Sequence, residues 1–548
     1  MSFAASATKS RGAVFTRQEV VDCILDLAGY TEDRPLYNLK LLEPSFGAGA
    51  FLLPVVDRLM KAWRNQQKSE AALEDLGNAI RAVELHQKTF NSTHAALVAL
   101  LQRNGLSART SIVLAERWLS QEDFLLAQLD GRFDFVVGNP PYVRQEMIPR
   151  HLLAAYRRRY RTMYGRADLY VPFIQRSLSV LSKGGTFGFI CADRWMKNRY
   201  GGPLRKLIAE QFNLKVCFHV AGSEAFDSVV DAYPAITIIS RETQGPTRVL
   251  KSQTIKRAAL RTLVEQFRAK QPPNPCGAMH ESTIVTNSAE PWILESSDKL
   301  ALIHRLERQF PSLEEAGCKV GIGVATGADK AFIGAFDALD VEPDCKLPLV
   351  TTADIRGGMV KWAGLGVINP FANSGALVEL RNYPRLRRYL EERREVIAGR
   401  YCAKKAPAAW YRTIDKINPA LAKKPKLLIP DLAGERRIVF EDGKFYPHHN
   451  LYYVLSATWP LRALQAVMLS AVTHLFVAAY STKMRGGCFR YQAQYLRRIR
   501  LPDWRSVPKP LQAELVDAAT KQDRLACDST VSKIYGLSSK ELKAVWNE

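Results

Sequence analysis

The sequence predicts an α/β protein with two domains: one built on a mixed, mostly parallel seven-stranded sheet with helices, and a second, mixed α+β domain. The first observation is length, because 548 residues exceed what one hydrophobic core usually organises. The second is that short apolar runs alternate with helical patterns from Leu39 to about Arg241, which is typical of parallel sheets. The third is a Gly-x-Gly turn directly after the first apolar run.

Seven apolar runs are predicted to be the strands of the first domain, and a helix over residues 11–30 is predicted to precede them. The runs are KLLEP, AIRAVEL, SIVLAE, FDFVVGN, GTFGFIC, KVCFHVAG and AITIIS. Ligands of such sheets bind outside the carboxyl ends of the strands. Gly47, Glu84, Asp123 and Asn139 all fall at those ends, so the sequence predicts a ligand site there.

The composition changes after these runs and indicates a domain boundary. The first domain is predicted over residues 1–245, a linker over 246–290 and the second domain over 291–548. The linker contains a basic helical pattern, KRAALRTLVEQFRAK, and then the proline-rich QPPNPCG. In the second domain, VGIGVATGADKAFIG predicts two short strands with a Gly-rich turn. LQAVMLSAVTHLFVAAY contains His474 and fits a buried helix better than a membrane span.

The run FDFVVGNPPY carries the most specific chemistry. Pro140 and Pro141 have fixed φ angles and no N–H donors. The Asn139 side-chain oxygen and a backbone carbonyl can therefore act as acceptors, and Tyr142 supplies a flat face beside them. This arrangement suits a planar group with an exocyclic NH2, such as adenine. The alternative is an ordinary Pro-Pro turn at the end of a strand.

A second motif lies in LKLLEPSFGAGAFLLPVVDRL, where Glu43-Pro44 ends a strand and Gly47-x-Gly49 opens a helix. Glycines allow a tight turn and close approach of a ligand to the backbone. The loop lacks the third glycine of the dinucleotide fingerprint and the Lys-Ser/Thr of a phosphate-binding loop. The sequence therefore favours a nucleoside ligand without a pyrophosphate.

Acidic residues follow the next two predicted strands. Glu84 ends AIRAVEL, where an acid can accept both hydroxyls of a ribose. Asp123 and Phe124 precede the Asn139 strand and could accept from an adenosine amine and cover its ring. Glu116, in VLAERWL, is an alternative carboxylate, and a solvated glutamate, a loop acid and a core phenylalanine are the structural alternatives.

The charge of the chain indicates a polyanionic partner. The net charge is +23, from 77 basic and 54 acidic residues. Residues 381–500 hold 24 Lys or Arg against 8 Asp or Glu, and residues 451–500 contain no acid. Because phosphate neutralisation supplies most non-specific affinity for nucleic acid, the second domain is expected to contact it. Aromatic residues interleaved there can pack in a core or stack on bases.

Cysteine and histidine patterns add no site. The nine cysteines form no Cys-x-x-Cys pair and no secretory signal precedes them, which predicts free thiols in a reducing cytoplasm. His448-His449 is an isolated pair, more typical of loop packing than of metal ligation, so no metal is expected.

Together these motifs resemble the gamma-class, TaqI-like N6-adenine DNA methyltransferases, in that class's order. RGAVFTRQEVVDCILDLAG is similar to the opening motif, with Phe15 and Thr16 where that class contacts the methionine end of its cofactor. Arg17 departs from the proline usual at that position. The remaining correspondences are Glu43, Pro44, Gly47 and Gly49 with the first cofactor motif, Glu84 with the ribose acid, Asp123 and Phe124 with the adenine-binding pair, and Asn139-Pro140-Pro141-Tyr142 with the catalytic signature.

The resemblance implies a Rossmann-like S-adenosylmethionine-dependent methyltransferase domain and a target-recognition domain for double-stranded DNA. It implies that Tyr142 stacks on a flipped adenine and that Phe226 completes the sandwich, with Tyr233 as the alternative ring. For the recognition domain, Arg485, Arg490 and Arg497 are the expected DNA contacts.

The resemblance further implies a monomer in the cytoplasm that needs no membrane. Whether a cognate restriction endonuclease is encoded separately is a question that the sequence leaves open. Two other interpretations also stay open: a non-catalytic DNA-binding specificity protein on a methyltransferase scaffold, and a protein glutamine N5-methyltransferase, since an amide also carries an NH2 on a planar group.

Overall fold

The chain divides into two compact units between Ser297 and Asp298. The structure is a computed structural model that describes residues 16–66, 71–220, 225–226, 234–252, 256–269, 279–282, 288–433, 437–481 and 488–546.

The first unit is an α/β domain, as predicted. Its sheet has the order β3-β2-β1-β4-β5-β7-β6-β8-β9. The strands from β3 to β5 in this order are parallel, β7 is antiparallel to both its neighbours, β8 is parallel to β6, and β9 is antiparallel to β8. The strands are β1 Leu41–Glu43, β2 Ile80–Glu84, β3 Leu119–Gln121, β4 Phe133–Gly138, β5 Leu181–Ala192, β6 Asn213–Val220, β7 Pro234–Ser240, β8 Thr247–Ser252 and β9 Met279–Ser282.

The predicted third strand, SIVLAE, is wrong, because that run lies within a helix over Ala108–Trp118. Ser107 caps this helix by accepting a hydrogen bond from the Thr110 N–H at 3.1 Å. The buried residues Ser111, Leu114, Ala115 and Trp118 follow helical spacing. A short apolar run looks the same whether it forms a strand or one face of a helix. The third strand of the structure begins at Leu119, directly after the helix ends at Trp118.

The prediction that residues 246–290 link two domains is wrong for their described part, although the helix predicted within them is confirmed; the proline-rich QPPNPCG lies outside the described residues. Residues 246–290 supply β8 and β9, which extend the seven-stranded sheet to nine strands, and the basic pattern forms a helix over Arg257–Arg268. Leu260, Leu263 and Val264 of that helix are buried in the core of the first unit. The apolar face of this helix therefore holds the segment to the sheet, and the division comes later in the chain.

Helices cover both faces of the sheet. In β4, Phe135 and Val137 enter one core and Val136 enters the other, because successive side chains of a strand point to opposite faces. Helices α1 to α5 and α10 pack on the first face and α6 to α9 on the second. The helices are α1 Gln18–Ala28, α2 Leu52–Gln66, α3 Ala72–Leu76, α4 Gln87–Arg103, α5 Ala108–Trp118, α6 Arg150–Arg159, α7 Tyr170–Ser179, α8 Arg194–Lys197, α9 Gly202–Gln211 and α10 Arg257–Arg268.

The second unit is a mixed α+β domain, as predicted. Its helices are α11 Ser297–Gln309, α12 Asp329–Phe332, α13 Pro384–Glu391, α14 Arg394–Ala398, α15 Tyr401–Lys405, α16 Leu461–Leu469, α17 Ala471–Tyr480, α18 Ala493–Leu496, α19 Lys509–Lys521, α20 Arg524–Ile534 and α21 Ser539–Trp546. Its strands are β10 Cys318–Ile322, β11 Ile333–Ala335, β12 Lys346–Val350, β13 Ile355–Arg356, β14 Met359–Val360, β15 Leu365–Ile368, β16 Lys426–Pro430, β17 Leu432–Ala433, β18 Val439–Glu441, β19 Tyr446–Pro447, β20 Leu451–Ser456 and β21 Phe489–Arg490.

Two four-stranded sheets organise this unit, with the orders β10-β20-β16-β18 and β11-β15-β12-β19. VGIGVATGADKAFIG does contain two short strands, but β10 and β11 belong to different sheets. The run predicted as one buried helix is two helices, α16 and α17, which are largely buried and meet at a 61° bend. Within the described ranges no single helix is long and apolar enough to cross a membrane. The bent pair of α16 and α17, taken together, has the length and apolar composition of a membrane span.

The His448-His449 pair is not isolated. His448 Nε2 lies 3.2 Å from Asp329 Oδ2, and Thr326 Oγ1 donates to the other Asp329 oxygen at 2.5 Å. The pair therefore packs against a carboxylate at the start of α12. Among the described residues, the cysteines form no disulfide.

A buried ion pair joins two strands of the β10-β20-β16-β18 sheet. The Lys426 ammonium and the Glu441 carboxylate contact each other with exposures of 0% and 1%. Glu441 also accepts the Gly443 N–H at 2.9 Å and the Lys444 N–H at 2.5 Å. The carboxylate thus pairs with a buried charge and also holds the turn after β18.

Glu441→Gln should lower the free energy of unfolding of the second unit by about 3–5 kcal/mol, because it leaves Lys426 as a buried charge without a counter-ion. Urea denaturation of the full chain, with hydrogen exchange of the β16 amides, measures this. Asp442→Asn is the matched control, since Asp442 pairs with Lys444 on the surface and should leave the midpoint almost unchanged. Equal effects of the two substitutions would contradict the assignment.

Candidate active site

A cleft of about 450 Å³ lies at the carboxyl ends of β1, β2 and β4. Five groups of predicted site residues meet in it: Thr16, the Glu43-Pro44 corner with the glycine loop, Glu84, the Asp123-Phe124 pair and Asn139 with Pro141. The structure therefore brings together residues as far apart in sequence as Thr16 and Asn139, which are 123 positions apart. Sequence reasoning missed other residues that line the cleft: Ser45, Phe46, His86, Lys88, Thr89, Ser92, Glu122, Val143, Tyr156, Leu169 and Phe173.

Glu84 holds the glycine loop in place. Its Oε2 accepts the Gly47 N–H at 2.9 Å and its Oε1 accepts the His86 N–H at 2.8 Å. Thr93 Oγ1 donates to the Gly47 carbonyl at 2.7 Å. Gly47 and Gly49 have φ angles of 49° and 85°, which L side chains rarely adopt. The predicted ribose acid is thus also the side chain that fixes the loop beside it.

Glu43 is a second buried carboxylate at the base of the cleft. It is 1% exposed, and its Oε2 has no hydrogen-bond partner within the described part of the chain. Burial, and then the nearby Glu84 carboxylate, raise the Glu43 pKa well above its ordinary value. A positively charged ligand in the cleft would supply the missing partner and favour the ionised form.

Asn139 follows directly after β4. Its side-chain Nδ2 donates to Thr16 Oγ1 at 3.2 Å, and its backbone carbonyl accepts from Ser45 Oγ at 3.2 Å. The first bond assigns the amide nitrogen to Thr16, so that Oδ1 is the side-chain atom that can accept from a substrate amine. Gly138, with a φ of 154°, brings this corner against Glu43 and Pro44. Asn139 is thus oriented by the opening motif and the glycine loop together.

Tyr142 and Phe226 lie close together, but they do not form a parallel pair. Their ring centroids are 6.2 Å apart with an interplanar angle of 81°. Phe226 is held by a backbone bridge to Thr16, and the neighbouring Ala225 carbonyl accepts the Arg17 N–H. A base stacked between two rings needs parallel faces about 7 Å apart, so the two rings in this orientation do not form such a sandwich. Tyr233 and Phe15 lie outside the described residues.

Asp123 is oriented by a residue that the sequence did not single out. Tyr156 donates its hydroxyl to Asp123 Oδ2 at 2.6 Å, and Asp123 Oδ1 accepts the Leu125 N–H at 2.9 Å. Phe124 is 2% exposed and packs on Phe173 at 5.0 Å between centroids. The tyrosine comes from α6, more than 30 residues later, and no local pattern links it to Asp123.

Glu116, the alternative carboxylate, does not reach the cleft. It lies on the exposed face of α5 and is absent from the cleft lining. The helix that replaced the predicted third strand explains this, because its buried face is turned toward the sheet and Glu116 is turned to solvent.

Two of the three arginines predicted to contact DNA are paired with acids in this structure. Arg490 forms a two-atom ion pair with Asp431, and the Arg490 side chain is 35% exposed. Arg497 Nε donates to Glu314 at 2.8 Å and is 45% exposed. Both charges are therefore partly neutralised within the second unit. Arg485 lies outside the described residues.

The sheet order, the glycine loop after β1 and the acid at the end of β2 define the fold as that of the S-adenosylmethionine-dependent methyltransferases. A solved structure with a similar fold is that of the Type IIL restriction-modification enzyme MmeI in complex with DNA, and the similarity extends over most of this chain. It is 12% identical, with a TM-score of 0.64 over 96% of this chain and 75% of that one.

Sequence relatives identify the family. The Eco57I restriction-modification methylase profile matches residues 58–226. The Type II methyltransferase M.PaeR7I of Pseudomonas aeruginosa is 66% identical over 98% of this chain and 94% of its own length. M.XhoI of Xanthomonas vasicola is 51% identical over 97% and 98%, and M.BstVI of Geobacillus stearothermophilus is 43% identical over 98% of both. The chain belongs to the Type II DNA methyltransferases of restriction-modification systems.

The buried carboxyl of Asp193, close to Tyr142, gives the stability of this unit a pH dependence. Burial raises its pKa to about 6, against the influence of Lys197 and Arg194, whereas an unfolded Asp titrates near about 4. The folded state therefore binds this proton more tightly than the unfolded state does. The resulting contribution to the free energy of unfolding is fully present below about pH 4 and is lost as the pH rises through about 6. Asp193→Asn should reduce the change in the free energy of unfolding between pH 4 and 6, as measured by urea denaturation at a series of pH values. An unchanged slope between pH 4 and 6 would refute the assignment.

Proposed function

We propose that the chain transfers a methyl group from S-adenosylmethionine to the exocyclic N6 of a flipped-out adenine in double-stranded DNA. The observation that carries the proposal is the Asn139 corner: its amide nitrogen is bonded to Thr16, so its oxygen is presented as an acceptor beside the ring of Tyr142. This corner adjoins the cleft with Glu84 and the glycine loop.

The chemistry required of these residues is to make a poor nucleophile reactive. The lone pair of an adenine amine is delocalised into the ring, and the base must leave the stack before the amine can react. The Asn139 oxygen and the Pro140 carbonyl accept the two N6 hydrogens, which localises the lone pair on nitrogen. Fixed acceptors of this kind act mainly through electrostatic alignment, and no general base is needed before transfer.

The cleft fits the proposed cofactor. S-adenosylmethionine supplies a methyl group activated by a sulfonium charge. Glu84 can accept the ribose hydroxyls at the loop that it already fixes, and Asp123 with Phe124 can hold the adenine. The unsatisfied Glu43 oxygen suits the positive charges at the methionine end, which Thr16 and Phe15 also serve by resemblance. Residues 43–49 therefore orient the methyl donor toward Asn139.

The alternatives are less well supported. A protein glutamine methyltransferase would use the same amine-accepting corner, but it would not need a second unit as basic as residues 381–500. A non-catalytic specificity protein would not need an intact Asn139-Pro140-Pro141-Tyr142 corner or an ordered glycine loop. We further propose that the chain acts as a monomer in the cytoplasm, modifies sites for a separately encoded restriction endonuclease, and reads them mainly with its second unit.

The experiment is an incubation of the chain with methyl-labelled S-adenosylmethionine and plasmid DNA, followed by digestion to nucleosides and mass spectrometry. The proposal expects N6-methyladenine. Methylcytosine as the product would overturn adenine specificity, and label in protein but not DNA would support the glutamine alternative. Absence of product with intact cofactor and DNA binding would support the specificity protein.

Asn139→Ala should reduce the methylation rate by about 10²–10³-fold while changing cofactor and DNA affinity little, because the acceptor acts mainly in the transition state. Asn139→Asp should keep part of the activity, since an acceptor oxygen remains. Single-turnover kinetics and equilibrium binding of the two variants measure this. Wild-type turnover in Asn139→Ala would show that the catalytic assignment is wrong.

Glu84→Ala and Asp123→Ala should each weaken S-adenosylmethionine binding without changing the methylated DNA site. The Glu84 variant should lose more, because it also releases the Gly47 and His86 N–H groups. Isothermal titration with the cofactor is the measurement, and Glu116→Ala is the control because Glu116 is exposed on α5. Unchanged affinity in both variants would locate the ribose and adenine contacts elsewhere.

A further inference from the structure

Residues 144–166 form a strongly basic segment within the first unit. The segment begins two residues after Tyr142 and contains seven arginines against one acid, Glu146. The chemistry of the site, as derived above, uses none of these arginines. The segment therefore carries a net charge of +6.

The segment starts and ends at the cleft. Val143 and Leu169 flank it, both line the cleft, and the Leu169 N–H donates to the Val143 carbonyl at 2.9 Å. Its helix α6 reaches the cleft again through Tyr156. The segment therefore leaves the cleft after Val143 and returns to it before Leu169, and Tyr156 within it also lines the cleft.

Helix α6 has an anchored face and a charged face. Tyr156 and the following Tyr160 are 3% and 6% exposed, and they donate to Asp123 and to the Leu125 carbonyl at 2.6 and 2.5 Å. With that face fixed, Arg150 and Arg158 of the helix are exposed, as is Arg161 just beyond it. The arrangement presents cations to solvent from a rigid support next to the cleft.

Most of the arginines in this segment have no acidic partner within the described ranges. Arg144, Arg150, Arg158, Arg161 and Arg166 form no ion pair with a carboxylate among the described residues. By contrast, Arg490 and Arg497, two of the three arginines predicted to contact DNA in the second unit, are paired with Asp431 and Glu314. Unneutralised like charges on one surface repel each other, and a polyanion relieves that repulsion.

We propose that residues 144–166 are a phosphate-binding surface that holds the DNA backbone beside the flipped base. The proposal rests on the proposed function, because it names what positions the duplex at the same site. Phosphate contacts fix the register of a protein on DNA without reading sequence, and a nucleotide rotated out of the helix requires its backbone to be held. The ligand class is the phosphodiester backbone of duplex DNA.

The test uses the full chain with three substitutions, Arg150→Gln, Arg158→Gln and Arg161→Gln, and measures DNA binding against salt concentration. Each lost phosphate contact should reduce the slope of log Kobs against log[salt] by about 0.9, on cognate and unrelated duplexes alike. Cofactor affinity should stay at the wild-type value. If the triple variant fails to bind cofactor, Arg158→Gln alone is measured, with a slope reduction of about 0.9 expected.

The matched control replaces Arg103, Arg109 and Arg261 by Gln. These residues are exposed, have no ion pair within the described ranges and do not line the cleft. Helix α4 begins next to the cleft residue His86, so Arg103 at its end lies about 24 Å further along the helix. The control should keep the wild-type slope.

A wild-type slope in the triple variant, or an equal loss in the control, would overturn the proposal. Loss of discrimination at one base pair would also overturn it, since it would identify a readout surface instead. Failure of the proposed function gives a different result: the wild-type chain would then form no N6-methyladenine, whatever the slope of the triple variant.

Discussion

The hydrogen bonds made by the Glu84 carboxylate are the constraint on which the site depends. One carboxylate accepts the N–H groups of Gly47 and His86, and thereby ties the loop after β1 to the end of β2. The Gly47 carbonyl is held from the other side by Thr93. Because Ser45 in the same loop donates to the Asn139 carbonyl, the position of the Asn139 corner follows from the position of the loop.

Burial of acids near this loop gives the cleft its electrostatic character. Glu43 is buried with an unsatisfied oxygen, and its pKa is raised by burial and by Glu84. Keeping such a group in the folded chain costs stability unless a cation compensates it. The cost is concentrated where a positively charged cofactor would bind, which is typical of a functional site. The Tyr142 hydroxyl is likewise a buried polar group without a hydrogen-bond partner among the described residues.

The sequence predicted most of the first unit, and the errors have physical causes. Asn139, Glu84 and Gly47 were located correctly at the strand ends because their residue types are tied to local backbone geometry. SIVLAE was misread as a strand, since short apolar runs do not distinguish a strand from a helix face. The contribution of residues 246–290 to the sheet was missed because the pairing of β8 with β6 is non-local.

Tertiary contacts explain what no sequence pattern could supply. Tyr156 meets Asp123 only after α6 has packed on the sheet, and the bond from Asn139 to Thr16 spans 123 residues. The ion pairs of Arg490 and Arg497 likewise depend on folding, so net charge located a basic region without telling which cations are neutralised. In the first unit, a local count of arginines could have drawn attention to residues 144–166, which follow the Asn139-Pro140-Pro141-Tyr142 corner.

The most direct test of the site is a crystal structure of the chain with an unreactive analogue of S-adenosylmethionine. The account predicts that the ribose hydroxyls bond to Glu84, that the adenine lies against Phe124 with its amine toward Asp123, and that the methionine end approaches Glu43 and Thr16. The position of the transferable methyl should face the Asn139 oxygen. An analogue bound outside this cleft, or bound in it with Glu84 turned away from the ribose, would contradict the account.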